Sequence, residues 1–249
     1  MVHLPRAIER VKAADKFGVM DALSDFFGVK EEPYIRPDGI AVVPIKGVLG
    51  VGLSRFDEMT GGVDMWKVSD QIDALASNPA VRGIAFDISS PGGTVLGTPE
   101  LAEKVASLSV PTLAYTRDLM ASAAIYIGSQ ADRVISAKSA YVGSVGVISI
   151  DYSYADYFKM NGIKVEITRS TEFKAPNAAG EGYTEAQKES ENKRVVAMYD
   201  EFKKAVKSKR TMVADAALDG TLFTGAEAAR LRLITGIAPT LDEAIASAF

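Results

Sequence analysis

The chain has 249 residues, 47% hydrophobic and 24% charged, with a net charge of −4 and a pI near 5.2. That is enough apolar material for one large core, and the acidic balance argues against nucleic acid as a partner. There is no cysteine and one histidine, His3, which excludes disulfides, thiolate or multi-histidine metal sites, a cysteine nucleophile and a serine–histidine triad within one chain.

No apolar run approaches the ~18–20 residues that span a bilayer, and the N-terminus lacks the pattern of a secretory signal, so the expectation is a soluble, cytoplasmic protein. Residues 1–30 read as a helical arm, with Ile8, Val11, Val19, Leu23 and Phe26 forming one apolar face over 5–27. Residues 31–39, "EEPYIRPDG", read as linker and turn, and 40–50, "IAVVPIKGVLG", as a buried strand. Within the latter, "GVLGVG" (47–52) fails the dinucleotide-binding spacing and reads as a turn. A helix is expected over 63–79, closing at Asn78–Pro79, then the strand "RGIAFDI" (82–88), the loop "SSPGGTVLG" (89–97) and a helix from Pro99 to about Leu108.

The strand "TLAYT" (112–116) precedes "LMASAAIYIGSQADRV" (119–134), which starts like a buried helix. Strands are expected at "RVISA" (133–137), "YVGSVGVIS" (141–149) and "IKVEITR" (163–169), with a helix around 153–162. From about 185 the chain turns helical. A long charged helix over 185–210 carries an apolar stripe of Val195, Met198, Tyr199, Phe202 and Val206, and shorter helices follow at 224–233 and 240–249. Alternation of short apolar strands with helices predicts an α/β fold of βαβ units around a mainly parallel sheet, as one domain over 31–249.

Two places carry chemistry. The loop "DISSPGGTV" (87–95) follows a strand and precedes a helix. Its paired glycines can turn backbone N–H groups toward an anion or oxyanion, although a plain turn has the same composition. Ser122 opens a helical stretch directly after a strand; it can be an N-cap, a small packing residue or a nucleophile. A nucleophilic serine here needs a base other than histidine, either a carboxylate or a lysine held neutral by burial.

The order "SSPGG", "MASAAIYIGSQADRVISA", "YVGSVGVI", "GIKVEITRSTEFKA" and the closing "LFTGAEAARLRLITGIA" resembles the signal peptide peptidase A family of serine peptidases, nearest its phage capsid-maturation branch. The resemblance spans about residues 38 to 245 and implies a ClpP/crotonase-like fold. It implies a serine–lysine dyad: Ser122 in "ASAA" as nucleophile and Lys174 in "RSTEFK" as base. It further implies Ser144 in "GSVGV" as the hydroxyl that positions the lysine, an oxyanion hole from the N–H groups of Gly93 and Ala123, and substrate contacts at Gly92 and Thr94. Ala123 and Ala124 stand where that family commonly has glycine.

The implied protein is a serine endopeptidase without metal or cofactor, acting on peptides or proteins, capsid or scaffold proteins among them, as a homo-oligomer with sites near subunit interfaces. Three alternatives stand beside capsid maturation: a peptidase degrading cleaved signal peptides, a crotonase-like acyl-CoA enzyme, and a non-catalytic assembly protein of the same fold.

Overall fold

Strands covered on both faces must be apolar at consecutive positions, and the central strands here are. The computed structural model describes residues 31–249; the expected arm at 5–27 lies outside them. The strands are β1 (Tyr34–Ile35), β2 (Ile40–Lys46), β3 (Val48–Gly50), β4 (Gly62–Asp64), β5 (Gly83–Ser89), β6 (Thr112–Thr116), β7 (Leu119–Ala121), β8 (Arg133–Ser136), β9 (Tyr141–Gly143), β10 (Leu222–Thr224) and β11 (Gly236–Ile237). The helices are α1 (Arg55–Met59), α2 (Met65–Ala76), α3 (Thr98–Ala106), α4 (Ala123–Gly128), α5 (Ala155–Met160), α6 (Glu185–Lys209), α7 (Gly225–Arg230) and α8 (Leu241–Ala248).

The main sheet has six strands in the order β1-β2-β5-β6-β8-β11. All its pairings are parallel except that of the edge strand β1. Each parallel step from β2 to β8 crosses over through a helix, which is how helices come to cover the sheet. Alternate side chains divide the core between two faces. Ala41, Val43 and Ile45 join Ile84, Phe86 and Ile88 in the larger cluster, under α2, α3 and α4. Ile40 and Val42 join Ala85, Leu113, Tyr115 and Ile135 beneath Ala244 and Ile245 of α8. Two small sheets, β3-β4 and β10-β9-β7, form a second layer at the carboxyl edge of the main one.

Most expected elements recur; β1, within the expected linker at 31–39, and α1, β4, β10 and β11 are additional, and four expected stretches differ. The stretch 47–52 contains β3, which pairs in parallel with β4 rather than only turning. Residues 119–121 form β7, not the first turn of a helix, because pairing with β9 overrides their helix-like composition. Only Tyr141–Gly143 of the expected strand at 141–149 is a strand. The stretch 163–169 is not one, although Ile163, Val165 and Ile167 alternate with polar residues; among the described residues no strand completes a ladder with it.

The apolar stripe on α6 packs inward. Phe202 and Val206 are buried in the larger core, and Phe202 lies against Tyr126 of α4 with ring centroids 4.7 Å apart. The helix begins with a capping box of Thr184 and Gln187 and ends with Lys207 and Lys209, cations that suit a helix C-terminus.

Candidate active site

The glycine loop leaves β5 at Ser89 and is tied on both sides. Ser90 N–H donates to the Leu119 carbonyl at 2.9 Å and the Ser90 carbonyl accepts from Ala121 N–H at 3.1 Å, which joins the loop to β7. Across from it, Leu49 N–H donates to the Gly92 carbonyl at 2.8 Å and Thr94 N–H to the Leu49 carbonyl at 3.0 Å, which joins it to β3. The approach requires glycine twice. A Cβ on Gly93 would lie 1.8 Å from the Leu49 carbonyl oxygen. Gly92 has φ 100°, and a Cβ there would lie 2.7 Å from Cβ of Ser122 and 2.9 Å from the Ala123 nitrogen. The loop therefore rests directly against Ser122.

Its N–H groups have different fates. Gly92 N–H donates to Oγ of the fully buried Ser90 at 3.1 Å, and Thr94 N–H is held by Leu49. Gly93 N–H has no acceptor among the described residues, and neither does Ala123 N–H at the first position of α4. These are the donors that a developing oxyanion needs. Gly92 and Thr94, expected to contact substrate, have their N–H groups engaged by Ser90 and Leu49.

Ser122 occupies the tight junction of β7 and α4 with φ 52° and ψ −125°, a conformation a non-glycine residue rarely adopts. Its N–H donates to the Gly143 carbonyl at 3.0 Å and its carbonyl accepts from Tyr126 N–H at 3.0 Å. Its hydroxyl caps nothing. The N-cap reading of this serine therefore fails, and the half-buried hydroxyl stands free beside Gly92. Ser144 directly follows Gly143, so it is one residue from the group that anchors Ser122. It too has a positive φ, 54°, and is held by its N–H on the Thr221 carbonyl at 2.8 Å.

Beside Ser122 opens a small pocket of about 40 Å³ walled by Val95, Tyr126, Val147, Met198 and Phe202, with Glu201 among its lining residues. Burial, reinforced by the negative charge of Glu201, Glu103 and Glu100, raises the Tyr126 phenol above its usual range, so that it stays neutral in this wall. Sequence reasoning did not find this pocket. Its only signal was the α6 stripe, whose Met198 and Phe202 reach the site across some 75 residues of chain.

Among the described residues Lys174 neither hydrogen-bonds to these groups nor lines the pocket beside Ser122. It is exposed, its N–H donates to the Thr171 carbonyl at 3.1 Å, and among the described residues its ammonium has no hydrogen bond or carboxylate partner. It belongs to a stretch, 148–175, that exposes large apolar side chains one after another: Ile148 at 80%, Ile150, Tyr152, Tyr154, Tyr157 and Met160 at 83%. The structure thus brings together Gly92, Gly93, Ser122 and Ala123, with Ser144 one residue from the group that anchors Ser122, and among the described residues no hydrogen bond links Lys174 to them.

The profile of peptidase family S49 matches residues 105–248, more than half of the chain. The chain belongs to peptidase family S49. It is similar to capsid assembly protease C of Escherichia phage lambda, 28% identical over 53% of this chain and 31% of that protein. It is also similar to the head-tail preconnector protein GP5 of Enterobacteria phage P21, 28% identical over 85% of this chain and 41% of that one, and to protease 4 of Haemophilus influenzae, 24% identical over 57% and 23%. The matches cover between 23% and 57% of the curated relatives' own lengths.

In three dimensions the S49 chain resembles the membrane-bound stomatin-specific protease 1510-N, with TM-score 0.54 and 13% identity over 84% of both chains. It likewise resembles ClpP1 of Listeria monocytogenes, with TM-score 0.52 and 15% identity over 82% of this chain and 94% of that one. The fold is therefore ClpP-like, as the sequence resemblance implied. No helix among the described residues is long and apolar enough to cross a membrane.

Proposed function

We propose that this S49 chain is a serine endopeptidase that works through an acyl-enzyme on Ser122. The observation that carries the reading is a strained Ser122 whose hydroxyl is spared from capping and which lines one pocket with Gly93 and Ala123, whose N–H groups have no acceptors among the described residues. Ser122 Oγ attacks the scissile carbonyl carbon while its proton passes to the Lys174 amine. The N–H groups of Gly93 and Ala123 take the oxyanion. Collapse expels the amine, which leaves with the proton from Lys174, and water deprotonated by the same lysine then hydrolyses the ester. The pocket's apolar walls and small volume suit a short apolar side chain next to the scissile bond.

Lys174 must approach Ser122 for this chemistry, and its segment has the character of an interface. The apolar side chains of 148–154 alternate as in a strand, yet among the described residues this stretch pairs with no strand. Packing against a second copy would cover them and carry Lys174 into a water-poor site. The similarity to the phage lambda capsid assembly protease and the phage P21 preconnector supports capsid maturation as the biological setting, with capsid or scaffold proteins as substrates.

The deciding experiment is labelling with a fluorophosphonate. Modification mapped to Ser122, lost in Ser122→Ala together with peptide cleavage, is the expected result; undiminished hydrolysis by Ser122→Ala or Lys174→Ala refutes the dyad. Assembly is read by light scattering after size exclusion: Ile150→Asp with Ile163→Asp should give smaller, less active species. A fully active 26.5 kDa monomer would refute the shared site.

A further inference from the structure

Residues Arg210, Lys209, Arg230 and Arg232 line an open cleft of about 570 Å³ between the end of α6 and the segment after α7. It lies at the start of β8, the opposite end of the parallel sheet from Ser122, since Arg210 reaches the carbonyls that immediately precede that strand. In a chain of net charge −4 this is a concentration of cations against the overall sign.

The nearby carboxylates offset it only in part. Glu227 Oε1 is 3.9 Å from an Arg230 nitrogen, and its Oε2 accepts the Thr224 N–H and hydroxyl at 2.9 and 2.7 Å. Asp132, which acts on Arg210 at a distance, already accepts the Thr112 N–H and hydroxyl at 2.9 and 3.0 Å. Among the described residues, Lys209 and Arg232 have no carboxylate partner; the Arg232 guanidinium meets only the Met212 sulfur at 3.3 Å. Arg232 also has φ 58°, a backbone conformation better suited to glycine.

The second observation is Arg210 itself, which is only 6% exposed. Its Nη2 donates to the Ala131 and Asp132 carbonyls at 2.6 and 3.3 Å, which fixes the guanidinium in place. Among the described residues its Nε is buried without an acceptor, and no hydrogen bond engages its Nη1. A largely buried guanidinium whose donors are not all met is costly, and an anion in the cleft that Arg210 lines would offset its charge through Nη1, since Nε has no surface open to it. The cations at the ends of α6 and α7 suit the helix dipoles, but a dipole does not satisfy those donors.

We propose that this cleft binds an anion bearing adjacent phosphate groups, such as pyrophosphate or the polyphosphate tail of a nucleotide. Planar guanidinium forks match phosphate oxygens in pairs. Four cations against two committed carboxylates call for more than one negative charge, and the volume falls within the range of small-molecule sites and well above a lone phosphate.

The test titrates pyrophosphate, ATP, inorganic phosphate and an oligoglutamate peptide into the full chain at low salt by calorimetry. Saturable binding of pyrophosphate and ATP is expected, at least about tenfold tighter than inorganic phosphate and weakening with added salt. ATP and pyrophosphate binding alike would mean that the tail alone is recognised, and tighter ATP that the nucleoside is read as well. The double variant Lys209→Ala, Arg232→Ala should bind at least about tenfold more weakly, with melting and peptide cleavage unchanged because both side chains are exposed and remote from Ser122. Arg210→Lys, which keeps the charge and removes the fork, should also weaken binding. Absence of saturable phosphate binding, equal binding by the double variant, or tighter binding of the glutamate peptide overturns the proposal. None of these outcomes bears on the reaction at Ser122.

Discussion

Replacing Gly93 by alanine tests the oxyanion donor without touching a reacting side chain. The new methyl carbon would lie 1.8 Å from the Leu49 carbonyl oxygen, whereas carbon and oxygen approach to roughly 3.3 Å at closest. Loop and β3 must therefore part by more than about an ångström. That movement breaks the bonds from Leu49 N–H to Gly92 and from Thr94 N–H to Leu49, which hold the loop in place. At about 1 kcal/mol for each hydrogen bond, the loss is near 2 kcal/mol, which a domain of ordinary stability survives.

Catalysis should suffer far more. An oxyanion donor acts only within about 2.7–3.1 Å, and losing one costs roughly 10²–10³ in kcat, or ~2.7–4 kcal/mol. The expected result is a folded Gly93→Ala variant with kcat reduced by about two to three orders of magnitude, KM little changed, and slower fluorophosphonate labelling. Initial rates on a fluorogenic peptide, with melting followed by circular dichroism, give both quantities. A folded variant with kcat within about threefold of the parent would refute the role given to the Gly93 N–H.

Ser122→Gly should abolish cleavage yet stabilise the protein by about 1–2 kcal/mol, since glycine adopts φ 52° without the steric cost; an unchanged or lower Tm would show that this turn is not strained. Phe202→Ala should cost about 3–5 kcal/mol in denaturant unfolding, because it empties a buried site against Tyr126, and a loss below about 1 kcal/mol would mean that α6 is not part of the core. Hydrogen bonds from the hydroxyls of Ser54, Thr221 and Thr224 lower the carboxyls of Asp57, Asp219 and Glu227 below their ordinary 3.8, 3.8 and 4.5. The unfolded chain therefore binds more protons as the pH falls through that range, so their stabilisation is present above about pH 4.5 and is lost on further acidification. Glu227→Gln should flatten the fall of Tm with pH down to about pH 3, and a slope equal to that of the parent would refute this contribution.

The sequence by itself determined the parallel α/β core, because β2, β5 and β6 are apolar on both faces and such runs fit only a covered sheet. It also left His3 as the one histidine in the chain, more than a hundred residues before Ser122, and its ordered motifs carried the family. Only the tertiary structure decided which N–H groups of "SSPGG" are free, since that depends on Leu49 and Leu119 approaching from either side of the loop. The strand character of 119–121 was hidden for the same reason: a ladder needs a partner, and β9 lies some twenty residues on. The converse case is 163–169, whose alternating pattern is that of a strand but which has no strand to pair with among the described residues. The α6 stripe was legible as an apolar face, but a face does not name its partner. Burial of Phe202 against Tyr126 showed that its lower half belongs to the chain's own core and to the wall of the pocket beside Ser122. Periodicity is a local property and survives in the sequence, whereas the choice of partner depends on residues far apart in the chain and exists only once they have packed.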